Sequence, residues 1–594
     1  MKDKKNIEEK KNINGILAVF FKCLRLIFAY SKPYVILTIT VNILLGILPA
    51  VSLVVLQDIL NQVQLNINDM HKLIIMIIVY ISLDVFTTLI SAVYNYYTSK
   101  VSLNLDLKLR LSVLEKALAL KMEDFENTET FNMINRASNE GNSKIITFFS
   151  SIVSTAQAVL SIFSLLLILV TFNIWIAAPV IFVPIIQYIY SVYISKVQYD
   201  IQKARTTKER KSWYISYLIT QGVAIKEFII FHLKDFMLNR FKQLNKGFIQ
   251  QDLQISKHST IAYFLLDFLD YIISGFIFFY IVLCGVKQLI LVGDVITYTR
   301  SVFNVRAKIK SIFSVFSTIA KNALFAGMYF DFMELPVENQ EDAGKIKLES
   351  IDEIEVRNLA YKYPNSSKYS LKDVNFRLHK GNIMAILGNN GSGKSTLIKL
   401  LLGFYDNYEG EILFNGIELR NIDRTSFYAL ISVLFQDFTK YESTARENVA
   451  YGDIANLNND AKIMRALTTV NFPFGLIDEK KLETQLGFWF DDGKQLSMGE
   501  WQKIAIARTI MKNGDFYIFD EPDAALDLNA QNDIVKIYNK LAQDKICLMI
   551  SHKIQQISNL ANEIIVLDKG LVVEQGSYAE LRTNPQSYLN KIIK

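Results

Sequence analysis

The run GNNGSGKST at Gly388–Thr396 carries the most specific chemistry in the chain. It follows the apolar strand-like segment NIMAILG (382–388) and leads into the helix-like TLIKLLLG. That is the GxxxxGK[ST] phosphate loop in its strand–loop–helix setting. Gly388, Asn389, Asn390, Gly391, Ser392, Gly393 and Thr396 would form the loop, its backbone N–H groups turned onto phosphate oxygens. Lys394 would place a point charge on the β- and γ-phosphates, and the Ser395 hydroxyl would reach Mg²⁺. The positive end of the following helix points at the same anions.

Three further apolar strands end in polar residues: ISVLFQ at Gln436, FYIFDE at Asp520 and Glu521, and KICLMISH at His552. Ligands of doubly wound sheets bind beyond the carboxyl ends of the parallel strands. On that reading Asp520 belongs to the Mg²⁺ shell and Glu521 orients or deprotonates the attacking water. His552 would bond the γ-phosphate, and Gln436 would reach Mg²⁺ or the water. Each of these residues alone would be an ordinary solvated strand end; their convergence on a phosphate loop favours the site. Ser497 and Glu500, in QLSMGEWQ, have capping-box spacing at the start of a helix.

These residues need an α/β scaffold, and residues 351–594 alternate short apolar strands with helical segments as such a domain does. Residues 335–350 are polar and read as a linker. Residues 1–334 are different. The 594-residue chain is 51% hydrophobic and 21% charged, too apolar for a disordered chain, and the apolar excess lies in its first half. Residues 34–56 and 73–99, two runs between Lys144 and Lys196 with a turn near Asn173, and 259–286 are each long enough to span a bilayer. A sixth, less apolar span is expected from near Asp294 toward Ala320. Residues 15–30 read as an interfacial helix. A cleavable signal peptide is not expected. The net charge of +6 does not suggest a nucleic-acid binder. Cys23, Cys284 and Cys547 lie too far apart for a zinc or disulfide framework.

Lys and Arg set the orientation. Residues 1–32, 100–144 and 196–258 hold 27 of them, and the three connections on the other side hold two. Both termini and both long connections are therefore expected on the cytoplasmic side. Segment 100–121 has helical apolar spacing, so the spans should continue beyond the membrane, with turns near 124–132 and 222–228. Those turns would dock on a soluble domain or stay solvated.

GNNGSGKST, FQD, LSMGE, FYIFDEP, AALD (524–527) and SH (551–552) match, in order, the motifs of ATP-binding cassette ATPases. With six spans ahead of them, the whole chain resembles an ABC exporter half-transporter. Its fold class would be an all-α six-helix transmembrane domain followed by an α/β P-loop cassette. SVLFQDFTKYESTARENV (432–449), TQLGFWFDDGKQLSMGEWQKIAIART (484–509) and SWYISYLIT (212–220) are similar to the nisin-type lantibiotic exporters. The resemblance implies ATP and Mg²⁺ as cofactors and a homodimer in the cytoplasmic membrane. Each ATP would lie between one phosphate loop and the partner's signature helix, where Ser497 and Gly499 meet the γ-phosphate. It also implies that Tyr363 stacks on adenine, that Asp527 links the two sites and that the turns at 124–132 and 222–228 are coupling helices. The implied cargo is a lanthipeptide precursor with its leader, so modification enzymes of the same pathway are expected partners. Leader removal would fall to another protein, since about 33 residues precede the first span. A drug or lipid exporter and an ATP-binding sensor or immunity module are the alternatives.

The chain departs from the family pattern in two places. LSGGQ reads LSMGE, so Met498 replaces a glycine and Glu500 a glutamine. A carboxylate near a γ-phosphate is unfavourable unless capped, and Glu500→Gln is expected to raise ATPase activity or ATP affinity modestly. Phe488 and Trp489 replace the acidic residue usual before the signature, which suggests an aromatic contact there. In the membrane half, Arg300, Arg306, Lys308 and Lys310 fall within the sixth span, where charges face a cavity or a partner. Equal depth along the two helices suggests an Asp270–Lys308 ion pair, with surplus positive charge lining the path. Reversing Arg306 and Lys310 is then expected to impair export, and Asp84 to be satisfied by a neighbouring helix.

Overall fold

The computed structural model describes the chain except residues 1, 66–68, 128–129, 131–132, 135–136, 138–141, 221, 223, 337–343, 365, 474, 476–480, 522–527, 552–557, 559 and 594. It forms two compact units. The first is Met1–Leu120 with Asn127–Val337, and the second is Lys121–Glu126 with Glu338–Lys594.

The first unit is helical: α1 (Lys2–Tyr30), α2 (Lys32–Gln64), α3 (Met70–Leu118), α5 (Asn142–Phe172), α6 (Ile174–Thr220), α7 (Ile225–Ile230), α8 (Lys234–Val286) and α9 (Val292–Met333). The short α4 (Met122–Glu126) belongs to the second unit. Stretches of α2, α3, α5, α6 and α8 are long and apolar enough to cross a membrane. The turn at Asn173 is where its polarity placed it. With 49 residues, α3 reaches roughly 74 Å, far more than the ~30 Å hydrocarbon core requires. Its N-terminus is set by Asp69, whose carboxylate accepts the Lys72 N–H at 3.1 Å. The α2 start is capped by Ser31 with proline just inside the helix.

The sixth helix, α9, starts near Asp294 as the sequence suggests, and among the described residues it is not one of the five helices long and apolar enough to cross a membrane. Its first turn is tied to the end of α2. Asp294 Oδ1 accepts from Gln57 Nε2 at 2.6 Å and Asn61 Nδ2 at 2.8 Å, and Gln64 Oε1 accepts the Val292 N–H at 2.6 Å. Residues 15–30 belong to one continuous helix, and Cys23 and Ile27 are buried against α2, α5 and α9.

The predicted Asp270–Lys308 pair does not form. Asp270 Oδ2 instead accepts from Arg306 Nε at 2.8 Å and is also bonded by Nη2, while Arg306 Nη1 donates to Ser274 Oγ. Lys310 Nζ pairs with Asp267 Oδ1 at 2.6 Å, which also accepts from Gln187 Nε2 at 2.9 Å. The Tyr271 ring lies against both cations. Depth along the helices was read correctly, but the face was not. At about 100° per residue, Arg306 and Lys310 share a side and Lys308 points elsewhere. Arg306 and Lys310 are therefore neutralised within the helical unit, and their reversal would disturb packing before it altered a pathway. The expectation for Asp84 also fails. It is exposed, and among the described residues no bond from its carboxylate to a neighbouring helix occurs.

In the second unit, β1 (Glu353–Tyr361), β2 (Leu371–His379), β4 (Glu409–Phe414) and β5 (Ile417–Glu418) form an antiparallel sheet in the order β2-β1-β4-β5. A second sheet runs β10-β9-β3-β8-β7-β6, from β3 (Ile383–Gly388), β6 (Ile431–Leu434), β7 (Phe516–Asp520), β8 (Ile546–Ile550), β9 (Glu563–Asp568) and β10 (Leu571–Gly576). The pairings from β9 through β6 are parallel. β3, β7 and β8 are buried at every position, as strands covered on both faces must be.

Candidate nucleotide site

Parallel pairing brings the strand ends together. Asp520 stands opposite Ile550 and Leu434 opposite Phe519, while β3 pairs with β8 up to Ile386–Ile550 and ends at Gly388 opposite Leu567 of β9. The sequence order of these strands is scattered; only the sheet makes β3, β8, β7 and β6 neighbours.

From Gly388 the chain turns through a loop into α10 (Lys394–Leu401). Gly393 has a left-handed φ of 109°, and a Cβ there would lie 2.6 Å from Leu371 Cδ2 and 2.8 Å from the Ser370 carbonyl. At Gly388 a Cβ would lie 2.3 Å from the Leu567 carbonyl. Glycine is required at both places by close backbone approach. Lys394 is buried and folds back over the loop, its ammonium donating to the Gly388 carbonyl at 2.7 Å and the Asn389 carbonyl at 3.1 Å. Burial pushes that ammonium below its ordinary value, and Glu521 and Asp520 pull it the other way. Among the described residues, the buried Ser392 hydroxyl has no hydrogen-bond partner. A glycine-shaped cradle, an inward lysine and an unmatched hydroxyl fit a polyphosphate. Asn389, Asn390 and Gly391 are exposed on the loop, Ser395 is exposed in the first turn of α10, and Thr396 beside it is buried.

The Tyr363 hydroxyl lies 3.2 Å from Thr396 Oγ1, and its ring packs edge-on against Tyr361 and Tyr405. Asp520 is almost fully buried at the end of β7. Glu521 follows it with a left-handed φ of 48°, uncommon for a side chain this long. Its N–H donates to the Ile550 carbonyl at 2.9 Å, and its Oε2 accepts from Gln436 Nε2 at 2.7 Å. The structure thus brings Gln436, Asp520, Glu521 and Lys394 to one edge of one sheet. Asp527 and His552 lie outside the described residues.

Ser497 caps α11 (Met498–Lys512). Glu500 Oε2 accepts the Ser497 N–H at 2.7 Å, and the Ser497 hydroxyl accepts the Glu500 N–H in return. Gly499 is half-buried in the first turn. Among the described residues, no hydrogen bond joins Ser497 or Gly499 to the phosphate loop. The carboxylate of Glu500 is therefore employed in the cap. Glutamine preserves that reciprocal geometry, so Glu500→Gln should change ATPase activity by less than about threefold, in the upward direction. A larger change in initial rate would show that the carboxylate acts beyond its helix.

Sequence reading missed a second cluster. Lys399, five residues past Lys394 on α10, donates to Glu126 Oε1 at 2.7 Å, and the Tyr405 hydroxyl donates to Glu126 Oε2 at 2.8 Å. Lys121 lies 3.4 Å from Asp406, which also pairs with Arg424. The sequence places a turn near 124–132, of which residues 128–129 and 131–132 lie outside the described residues, but Glu126 and Tyr405 are 279 residues apart and no local signal connects them. Burial raises the Glu126 carboxyl, but the Lys399 and Tyr405 hydrogen bonds outweigh it and hold the group below its ordinary value of 4.5. A lowered folded value means that the contact stabilises fully above 4.5 and fades as pH falls through the folded value. Thermal melting of the wild type and of Glu126→Gln should therefore differ at neutral pH and converge in acid. Parallel curves throughout would contradict this. Phe488 and Trp489 are exposed, and their N–H groups face Glu442 Oε2.

Residues 371–524 match the family described as "ABC transporter", and residues 35–305 match "ABC transporter transmembrane region". The subtilin transport ATP-binding protein SpaT of Bacillus subtilis is 35% identical over 96% of this chain and 93% of its own length. The nisin transport ATP-binding protein NisT of Lactococcus lactis subsp. lactis is 32% identical over 95% and 94%. A solved bacterial Atm1-family ABC exporter with ATP bound has the same fold, with a TM-score of 0.77 and 20% identity over 95% of this chain and 98% of that one. The phosphate loop, the strand ends beside it and the apolar helices ahead of them thus agree with relatives matched along almost the entire chain, which belongs to the ABC transporter family as a membrane protein that couples transport to hydrolysis of Mg²⁺-bound ATP.

Proposed function

We propose that this protein exports a lanthipeptide precursor with its leader across the cytoplasmic membrane, as a homodimer with both termini cytoplasmic. The observation that carries the cargo assignment is the 35% and 32% identity to subtilin and nisin transport proteins over more than nine-tenths of their lengths. Residues 1–334 serve as a six-span domain, 335–350 as the linker and 351–594 as the cassette. The 27-to-2 distribution of Lys and Arg supports the orientation.

In this reading the phosphate loop and Lys394 bind the ATP phosphates, and Ser395, Gln436 and Asp520 hold Mg²⁺. The Mg·ATP complex supplies the scissile phosphoanhydride. Glu521 orients the attacking water and accepts its proton, with Gln436 fixing the carboxylate. His552 steadies the γ-phosphate side. Tyr363 faces adenine, and Ser497, Gly499 and Asp527 complete the partner's site. Lys399 and Glu126 connect α10, which starts at the loop, to α4, so a shift of the loop reaches the helical segment. The deciding experiment is ATP-driven uptake into inverted membrane vesicles. Uptake of a leader-bearing lanthipeptide precursor, abolished by Glu521→Gln, is expected. Uptake of lipid or drug alone would favour the alternative cargo.

A further inference from the structure

The sixth helix, α9, shows two unlike faces between residues 297 and 308. Thr297, Ser301, Val302, Val305 and Arg306 are buried. Arg300, Asn304 and Lys308 recur every four residues, so they stack as one stripe on another side. Arg300 and Asn304 are exposed and Lys308 is half-buried. Counted from Asp294, Arg300 lies about 9 Å and Lys308 about 21 Å along the helix, both within a hydrocarbon core of ~30 Å. A cation at that depth needs an anionic partner or an aqueous cavity. Asp270 and Asp267 are engaged with Arg306 and Lys310. Among the described residues, no carboxylate pairs with Arg300 or Lys308.

We infer that Arg300 and Lys308, with the Asn304 amide between them, form a binding stripe for an acidic segment of the exported peptide. The inference deepens the peptide-export reading and rests on it. Its geometry specifies the ligand. The two cations are eight residues apart, about 12 Å along the helix. An extended chain advances ~3.3 Å per residue and returns to the same side every second residue. Carboxylates at positions i and i+4 of an extended peptide therefore match both cations from one side, and the Asn304 amide faces the backbone between them. One lipid phosphate reaches a single cation and leaves the other without a counter-charge.

The test uses the full chain in nanodiscs and short synthetic peptides that carry two Asp residues at i and i+4, two Asn residues there, or two Lys residues there. The Asp peptide should bind about tenfold more tightly than the Asn peptide. Arg300→Gln with Lys308→Gln should erase that preference. Arg300→Glu with Lys308→Glu should transfer it to the Lys peptide, a gain of binding that a misfolded protein does not show. Equal affinity of wild type and the double Gln variant for the Asp peptide would overturn the stripe, and vesicle uptake of the neutral peptide would then leave peptide export standing. Failure of peptides of every charge to bind or enter vesicles would overturn peptide export and the stripe with it.

Discussion

Replacing Glu521 by glutamine should leave ATP bound but lower turnover by at least about a hundredfold, the lower end of what a positioned general base contributes. Glutamine has the same length, and the bond from the residue 521 N–H to the Ile550 carbonyl belongs to the backbone, so the strand end keeps its form. The amide can still meet Gln436, with one of the two side chains turned over. What disappears is the carboxylate to which the proposed function assigns the water proton. Equilibrium ATP binding and steady-state phosphate release, measured on the same preparation, separate the two effects. Turnover near the wild-type rate would remove the role assigned to Glu521, and loss of binding would show that the carboxylate is structural.

The other large effect is expected inside the helical unit. Asp270 and Arg306 are almost fully buried and bonded to each other, with Ser274 completing the guanidinium's partners. Removing one member strands the other charge in a low-dielectric interior, which costs about 3 kcal/mol or more. Asp270→Asn and Arg306→Gln should each lower the thermal midpoint of the protein in detergent sharply. The double variant carries no stranded charge and should be less destabilised than the two single effects added together. Single variants that melt like the wild type would show that water already reaches this pair. The contrast with Arg300 and Lys308 is instructive. All four cations lie on one helix, yet two hold the bundle together and two face away from its packed core.

Much of the cassette was legible because its signals are local. The phosphate loop is a contiguous motif whose glycines answer backbone requirements within a few residues, as Gly388 and Gly393 show. The capping box of Ser497 and Glu500 spans four positions and appears as spaced. Asp520, Glu521 and Gln436 could be placed at one sheet edge from the sequence because apolar strands ending in polar groups imply a common edge. The bond from Gln436 to Glu521 was not legible, since two strand ends 85 residues apart become neighbours only through the β6–β7 pairing.

By itself, the sequence determined the two-part plan, the apolar lengths of the membrane helices, the charge asymmetry of their connections and the identity of the phosphate loop. Each depends on composition or on contacts within a few residues, where chain geometry leaves little choice. Only the tertiary structure decided which cation meets Asp270, where Glu126 docks, and that Asp84 remains uncovered. Those outcomes depend on the rotation of one element against another. A turn of about 100° per residue changes a helix's partner completely while leaving its depth and hydropathy the same.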